Sequence, residues 1–275
     1  MKKIGIVYHP LNKQALSLAQ KVADYLGTRG VNCWLCSAWE GEQLSQQMAG
    51  TELILTIGGD GTILRTSQVL VHNPIFITGI NLGKLGFLTE LSADEAIDKL
   101  PALLSGEGWV DERAMLEVEI DSSQGQTDER FFVLNDVVIA RGEIARIIHV
   151  EATIDNETLT TYKADGVIAA TATGSTGYAL ACGGPVLHPQ AQQFLLVPIV
   201  PHLSLNNAFV LQPEAIVKLR VGAIHKAVLS IDGHISLPLA GNDSIIVKCS
   251  RLKTRFLRTS PRNSFYTTLE QKLKG

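Results

Sequence analysis

The stretch LILTIGGDGTILRT, residues 53–66, decides how this chain is read. Leu53 to Ile57 form an unbroken apolar and β-branched run ending at Gly58 and Gly59, as a parallel strand buried on both faces does. A helical pattern takes over at residues 62–71. A strand that stops at a glycine turn and hands over to a helix belongs to an open α/β sheet, where ligands bind beyond the carboxyl ends of the strands. Glycines let main-chain N–H groups come close to a phosphate, and a helix opening near Thr62 adds its positive N-terminal dipole. Asp60 is the informative residue. A carboxylate beside phosphates is unfavourable unless it holds a metal or accepts a proton. The competing reading makes it a cap for the helix that follows. The stretch is neither the GxGxxG dinucleotide fingerprint nor the GxxxxGK[ST] phosphate loop.

The residues on either side repeat the same alternation. KIGIVY reads as a strand; Ala15, Leu18, Ala19, Val22 and Leu26 then recur at helical spacing, and Gly30 follows. VNCWLCS reads as a second strand, residues 40–49 as a weaker helix, and IFITGIN as a fourth strand. Ser92 and Glu95 have the spacing of a capping box for the helix ADEAIDKL, which Pro101 is expected to end or kink. This pattern specifies a doubly wound parallel sheet. After residue 106 the pattern changes. MLEVEID and part of EAIVKLRVG alternate with period two, and FFVLNDVVIA, RIIHVEATI, KAVLSID, DSIIVKCS and KTRFLRT read as further short strands. The expectation is an α/β domain over residues 1–106, a mainly antiparallel β domain over 107–258, and a helical tail over 259–275 that returns to the first domain. A short junction between two domains is a common place for a binding cleft.

At 275 residues the chain is long enough for two domains with sizeable cores. Its composition, 45% hydrophobic and 19% charged, is globular and does not favour disorder. A net charge of −3 gives no electrostatic reason to expect nucleic acid or an anionic membrane as partner, so an anionic small ligand needs a local binding arrangement. The apolar part of MKKIGIVYHP is too short for a signal peptide and no run approaches a membrane span; the expected location is the cytoplasm. Cys33 and Cys36 form a CxxC, but positions three apart on a strand face opposite sides. With no second CxxC or HxxxH, the four cysteines read as free thiols and no protein metal site is assigned.

Downstream segments carry the remaining polar signals. NLGKLGFLTE, residues 81–90, places Asn81, Gly83 and Gly86 as turn or close-approach positions after the fourth strand. LNDVVIA sets the polar pair Asn135–Asp136 inside an otherwise apolar strand; buried polar groups are costly unless satisfied, so a ligand-facing bulge is expected. ADGVIAATATGSTGYALACGGP, residues 164–185, is the densest run of small and hydroxyl residues. It reads as a surface against which a flat or extended ligand lies, or else as a close-packed turn and helix start. LSIDGH, residues 229–234, ends a strand in a turn and reads as a hairpin.

GGDGTILRT, NLGKLGFL, the Asn–acid pair, DGVIAATATGSTGYALACGGP and SIDGH, in this order and over nearly the whole chain, resemble the NAD kinase family. The tail FLRTSPRNSFYTTLEQKL resembles that family's ending. GGDGT alone is shared with diacylglycerol-type lipid kinases and 6-phosphofructokinases. The resemblance implies a phosphotransferase with an alcohol acceptor. It would move the γ-phosphoryl of ATP, with Mg²⁺ or another divalent cation, to the 2′-hydroxyl of the adenosine ribose of NAD, making NADP. It implies Asp60 as general base, Gly61 against the ligand and Arg65 as a basic cofactor contact. Asn135 and Asp136 would hold hydroxyls of the dinucleotide. Arg146, Lys163 and Asp165 match further ligand contacts, some of them supplied across a subunit interface in a homodimer or homotetramer. Thr176, Gly177, Tyr178, Ala179, Leu180 and Ala181 would form the adenosine platform, with Tyr178 its aromatic element, and His234 would be a late polar contact.

Two positions depart from the family pattern. Asp136 stands where glutamate is common and reaches one methylene less; Gly177 stands for an alanine and loosens the backbone. Lys84 is a further basic candidate outside the set. The alternatives are a lipid or sugar kinase using the same turn, or a non-catalytic dinucleotide sensor. A lipid kinase needs an apolar tunnel or face that the sequence does not signal, and a pure binder gains little from carboxylates near phosphates.

Overall fold

The computed structural model describes residues 1–83, 86–122, 129–143, 146–262 and 265–274; Lys84 lies outside them. The chain begins β1 (Lys3–Tyr8), α1 (Lys13–Thr28), β2 (Asn32–Ser37), α2 (Gly41–Gln47), β3 (Leu53–Ile57), α3 (Asp60–Leu70), β4 (Phe76–Asn81), β5 (Leu91–Ser92), α4 (Ala96–Ser105) and β6 (Trp109–Asp121). There follow β7 (Arg130–Val133), β8 (Asp136–Arg141), β9 (Ile148–Ile154), β10 (Glu157–Ala164), β11 (Gly166–Ala170), a 3₁₀ turn (Gly174–Thr176) and α5 (Tyr178–Ala181). Last come β12 (Phe194–Ile199), β13 (Phe209–Leu211), β14 (Val217–Val221), β15 (Ala227–Ile231), β16 (Ile235–Leu239), β17 (Ser244–Arg258) and α6 (Phe265–Leu273). Two compact units result: Met1–Glu112 with Thr254–Gly275, and Arg113–Lys253.

In the first unit β2, β1, β3 and β4 pair in that order, all parallel, and Phe256 near the end of β17 pairs with Ile77 of β4. The chain leaves β1 through α1 for β2 on one side and leaves β3 through α3 for β4 on the other, so the strand order reverses between β1 and β3. Every residue of β3 is buried, which is why it carries no polar alternation. Asn12 caps α1 by accepting from Gln14 N at 2.9 Å, and Ala15, Ala19, Val22 and Leu26 bury the predicted face, with Leu18 at its margin. Ser92 Oγ donates to Glu95 Oε2 at 2.6 Å, so the capping pair forms. The expectation that Pro101 ends or kinks the helix is corrected as to the end: α4 runs on to Ser105. Burial of Ala96, Leu100 and Leu103 on one face outweighs the single missing N–H. The stop comes at Gly106, in the left-handed region at φ 77°, where Glu107 N donates to Ala102 O at 2.9 Å.

The described pairings of the second unit are antiparallel. One sheet runs β13-β12-β11-β8-β15-β16, and β10, β9, β14 and β17 pair in a second. Val137 and Ile139 of β8 and Val167 and Ala169 of β11 face a large core with Val150, Ala152 and Leu219. The opposite face of the same strands, Val138, Ile168 and Ala170, packs with Ala179 and Val197. FFVLNDVVIA is not one strand. Val133 of β7 pairs with Leu116 of β6, whereas β8 pairs with β11 and β15, so the chain changes sheets at Leu134–Asn135. DSIIVKCS and KTRFLRT, conversely, belong to the single strand β17. All four cysteines are free; Cys33 and Cys36 lie on β2, with Sγ of Cys33 near Ala23 O at 3.8 Å and Sγ of Cys36 near Glu40 O at 3.7 Å. Among the described residues no helix is long and apolar enough to cross a membrane.

Candidate functional site

The strand-order reversal between β1 and β3 puts His9, which follows β1, beside Gly58, which follows β3; such a switch point is where open α/β sheets bind ligands. His9 N donates to Ile57 O at 3.0 Å, and a Cβ added to Gly58 would lie 2.3 Å from Thr62 Oγ1, so this turn tolerates only glycine there. A cleft of about 420 Å³ opens at this point, lined by His9, Asn12, Lys13, Gly58, Gly59 and Asn81 among others. The first residues of α1 and the N-cap of α3 both line it, so two helix N-termini and one lysine present positive potential to the same space. Three polar atoms around the turn, His9 Nδ1, Thr56 Oγ1 and Thr62 Oγ1, are buried with no partner among the described residues. Buried polar groups are paired as a rule, so these three atoms mark hydrogen-bonding capacity at the turn. Sequence reasoning missed His9 and Thr56; only their proximity to the glycine turn reveals them.

Asp60 is the first residue of α3, and it does not cap that helix. The N-cap is Gly59 and makes no side-chain capping bond. The Asp60 carboxylate instead accepts from Phe87 N at 2.8 Å and Leu88 N at 3.1 Å. Gly86 is required by this contact, since a Cβ there would lie 1.9 Å from Asp60 Oδ1. Each carboxylate oxygen thus receives one amide and retains capacity for a further proton or hydrogen bond. Gly61 is exposed one residue on, and Arg65, partly buried on α3, lies with its guanidinium 5.6 Å from the ring centroid of Trp39.

In the second unit Asp232 organises the chain change between sheets. Its carboxylate accepts from the amides of Leu134 at 3.0 Å, Asn135 at 2.7 Å and Asp136 at 3.2 Å. Asp232–Gly233 is therefore a clamp as well as the expected hairpin. Thr171 Oγ1 donates to Leu134 O at 2.6 Å, and Gly174 sits so close to Asn135 O that a Cβ would approach it to 2.1 Å. With the backbone held this way, Asn135 Oδ1 is buried with no partner among the described residues. Burial, and then the Asp232 charge, push the Asp136 carboxyl up to about 7.

The structure gathers several other candidates around this clamp. A Cβ on Gly177 would lie 4.0 Å from Asp136 Oδ2. The Tyr178 phenol is raised by burial first and then by neighbours that include Cys182, Asp165 and Asp136, and the ring is 48% exposed. Thr176 Oγ1 donates to Thr173 O at 3.1 Å, and His234 Nδ1 bonds Asp232 O at 3.1 Å. Ala179 is turned wholly into the core, whereas Leu180 is partly buried and Ala181 exposed, so the Ala179 side chain offers no ligand surface. Asp165 pairs with Arg141 at 3.4 Å. Lys163 is exposed on β10, and Arg146 pairs with Glu143 at 3.2 Å on the surface.

Among the described residues no group of three or more His, Cys, Asp or Glu side chains is placed to hold a metal.

Residues 31–108 match the ATP-NAD kinase N-terminal domain and residues 134–259 the ATP-NAD kinase C-terminal domain. An NAD kinase of Dehalococcoides mccartyi is 48% identical over 274 residues, covering 100% of this chain and 96% of that protein. An NAD kinase of Chloroflexus aurantiacus is 37% identical, covering 100% of this chain and 99% of that one. A yeast NADH kinase solved with NADH shares the fold, with a TM-score of 0.87 at 24% identity over 100% of this chain and 88% of its own. An NAD kinase from Archaeoglobus fulgidus solved with ATP superposes with a TM-score of 0.80 at 25% identity, over 99% of this chain and 98% of its own. The chain belongs to the NAD kinase family.

Proposed function

We propose that this protein transfers the γ-phosphoryl group of ATP to the 2′-hydroxyl of the adenosine ribose of NAD, making NADP. The observation that carries this reading is the Asp60 carboxylate, fixed by two amides at a glycine turn and free of any capping duty. Phosphoryl transfer has a loose transition state, so positioning and charge neutralisation supply most of the acceleration. The donor phosphates fit the cleft at Gly58–Gly59, where helix N-termini and Lys13 face them. A divalent cation entering with the donor would be held chiefly by phosphate oxygens, with Asp60 the acid at hand, and would neutralise phosphate charge there.

The acceptor dinucleotide is assigned to the second unit. Asn135 Oδ1, buried and unmatched, accepts from a ribose hydroxyl, and Asp136, an acid titrating near neutrality, gives or takes the next hydrogen bond. Tyr178 supplies an exposed aromatic face for a base. Thr176, Gly177, Leu180 and Ala181 border it, and Asp165, Lys163, Arg146 and His234 are the outer polar contacts. Arg65 is assigned as a basic cofactor contact. Turnover requires the ribose 2′-oxygen to come within hydrogen-bond reach of Asp60, which accepts its proton as the new P–O bond forms and the bond from the γ-phosphorus to the β,γ-bridging oxygen breaks, releasing ADP. The protein is assigned a homo-oligomeric state in the cytoplasm, the former testable by light scattering. The test of function is incubation of purified protein with ATP, Mg²⁺ and NAD, followed by mass measurement of the product. NAD heavier by one phosphoryl group is the expected result; NAD bound but unaltered would instead make the protein a sensor.

A further inference from the structure

The segment that fixes Asp60 is itself held by the end of the chain. Phe87 and Leu88 present their amides to the carboxylate. On the other side of this segment, the buried Arg258 guanidinium donates to Leu88 O at 2.8 Å and pairs with Glu90 at 3.3 Å and Asp111 at 3.2 Å. Glu90 Oε1 accepts in turn from Thr259 N at 2.7 Å and Ser260 N at 2.6 Å. The Phe87 ring then carries the ammonium of Lys272, from the last turn of α6, 3.8 Å from its centroid.

Lys272 is partly buried, and burial pulls its pKa below the ordinary lysine value while the nearby Asp60 charge opposes the shift. A lysine that only filled space over a ring could be replaced by an apolar side chain without the desolvation cost of an ammonium. A cation kept there, on the ring of a residue whose amide grips the carboxylate, has an electrostatic use.

We propose that Lys272 is a positioning residue for phosphoryl transfer: it seats Phe87 so that the amides of Phe87 and Leu88 hold the Asp60 carboxylate, and its charge offsets negative charge at the turn. The inference rests on the phosphoryl-transfer reading above. It makes the last turn of α6 part of the catalytic apparatus.

The test compares kcat, KM for NAD and thermal melting of wild type, Lys272→Met, Lys272→Arg, Phe87→Leu and the Lys272→Met/Phe87→Leu double variant. Lys272→Met is expected to lower kcat about tenfold, the scale of a partly desolvated cation–π contact, with KM for NAD and melting temperature little changed. Lys272→Arg is expected to recover most of the loss, and the double variant to lose less than the sum of the two single free-energy changes. Should Lys272→Met fail to fold, Lys272→Gln is measured against Lys272→Arg in its place, with the same expected split. An unaltered kcat in the neutral variant, no recovery by arginine, or full additivity with Phe87→Leu overturns the inference. A wild-type protein that makes no NADP overturns the phosphoryl-transfer reading and this inference with it; an active wild type with an indifferent Lys272 overturns this inference alone.

Discussion

The two polar turns of this chain spend backbone amides in opposite ways. In the first unit, amides following Gly86 go to the carboxylate of Asp60, which stays partly exposed beside a cleft where two helices begin. In the second, the amides of residues 134–136 go to Asp232, and the adjacent Asp136 is buried beside that charge with its carboxyl pushed up to about 7. The first arrangement suits the proton acceptor proposed for phosphoryl transfer. The second makes an acid able to donate or accept near neutral pH. Which carboxylate receives the amides, more than which residue types are present, separates the two roles.

The contrast is most severely tested at Asp60. Asp60→Asn removes the proton acceptor and turns an NH₂ group toward one of the two amides that grip the carboxylate, and is expected to lower kcat by about 10²- to 10⁴-fold or more while NAD still binds. Steady-state kinetics with calorimetric NAD titration checks this; an unchanged kcat would erase the distinction between the turns. The second effect lies at Asp136. Because its folded-state pKa of about 7 exceeds the ordinary 3.8, the folded protein keeps a proton between those values that the unfolded chain has lost. Stability from this group therefore falls as pH rises from about 4 to about 7 and levels off above that window. The full shift corresponds to at most about 4 kcal/mol, and Asp136→Asn should remove that slope in denaturant unfolding across pH 4 to 8.

Gly86→Ala sharpens the comparison from the backbone side. The added methyl would collide with Asp60 Oδ1, so kcat is expected to fall about 100-fold with KM for NAD nearly constant. The smallest effect is expected for Lys13→Ala. An exposed, screened charge contributes up to about 1 kcal/mol, so KM for ATP should rise by no more than about fivefold and KM for NAD not at all.

Much of the first unit was legible because its signals are local. Ala15, Ala19, Val22 and Leu26 reveal the buried face of α1 by spacing alone, and Leu53–Ile57 reveal a strand covered on both sides. The second unit was harder to parse. GVIAA and FLLVPI, buried on both faces, show no alternation, and FFVLNDVVIA conceals a switch between sheets that no periodicity marks. Pro101 misled in the other direction, since three buried side chains carry α4 past it.

By itself the sequence determined the doubly wound and antiparallel halves, the glycine turn and the identity of the acids, because periodicity and glycine placement act over a few residues. Only the tertiary structure decided what those acids touch. Asp60 is held from residues 27 and 28 positions away, Asp232 grips amides 96 to 98 positions away, and Lys272 reaches Phe87 from the far end of the chain. A polar side chain finds whichever donors the packed chain brings within hydrogen-bond distance, and a repeating local pattern holds no record of partners so remote.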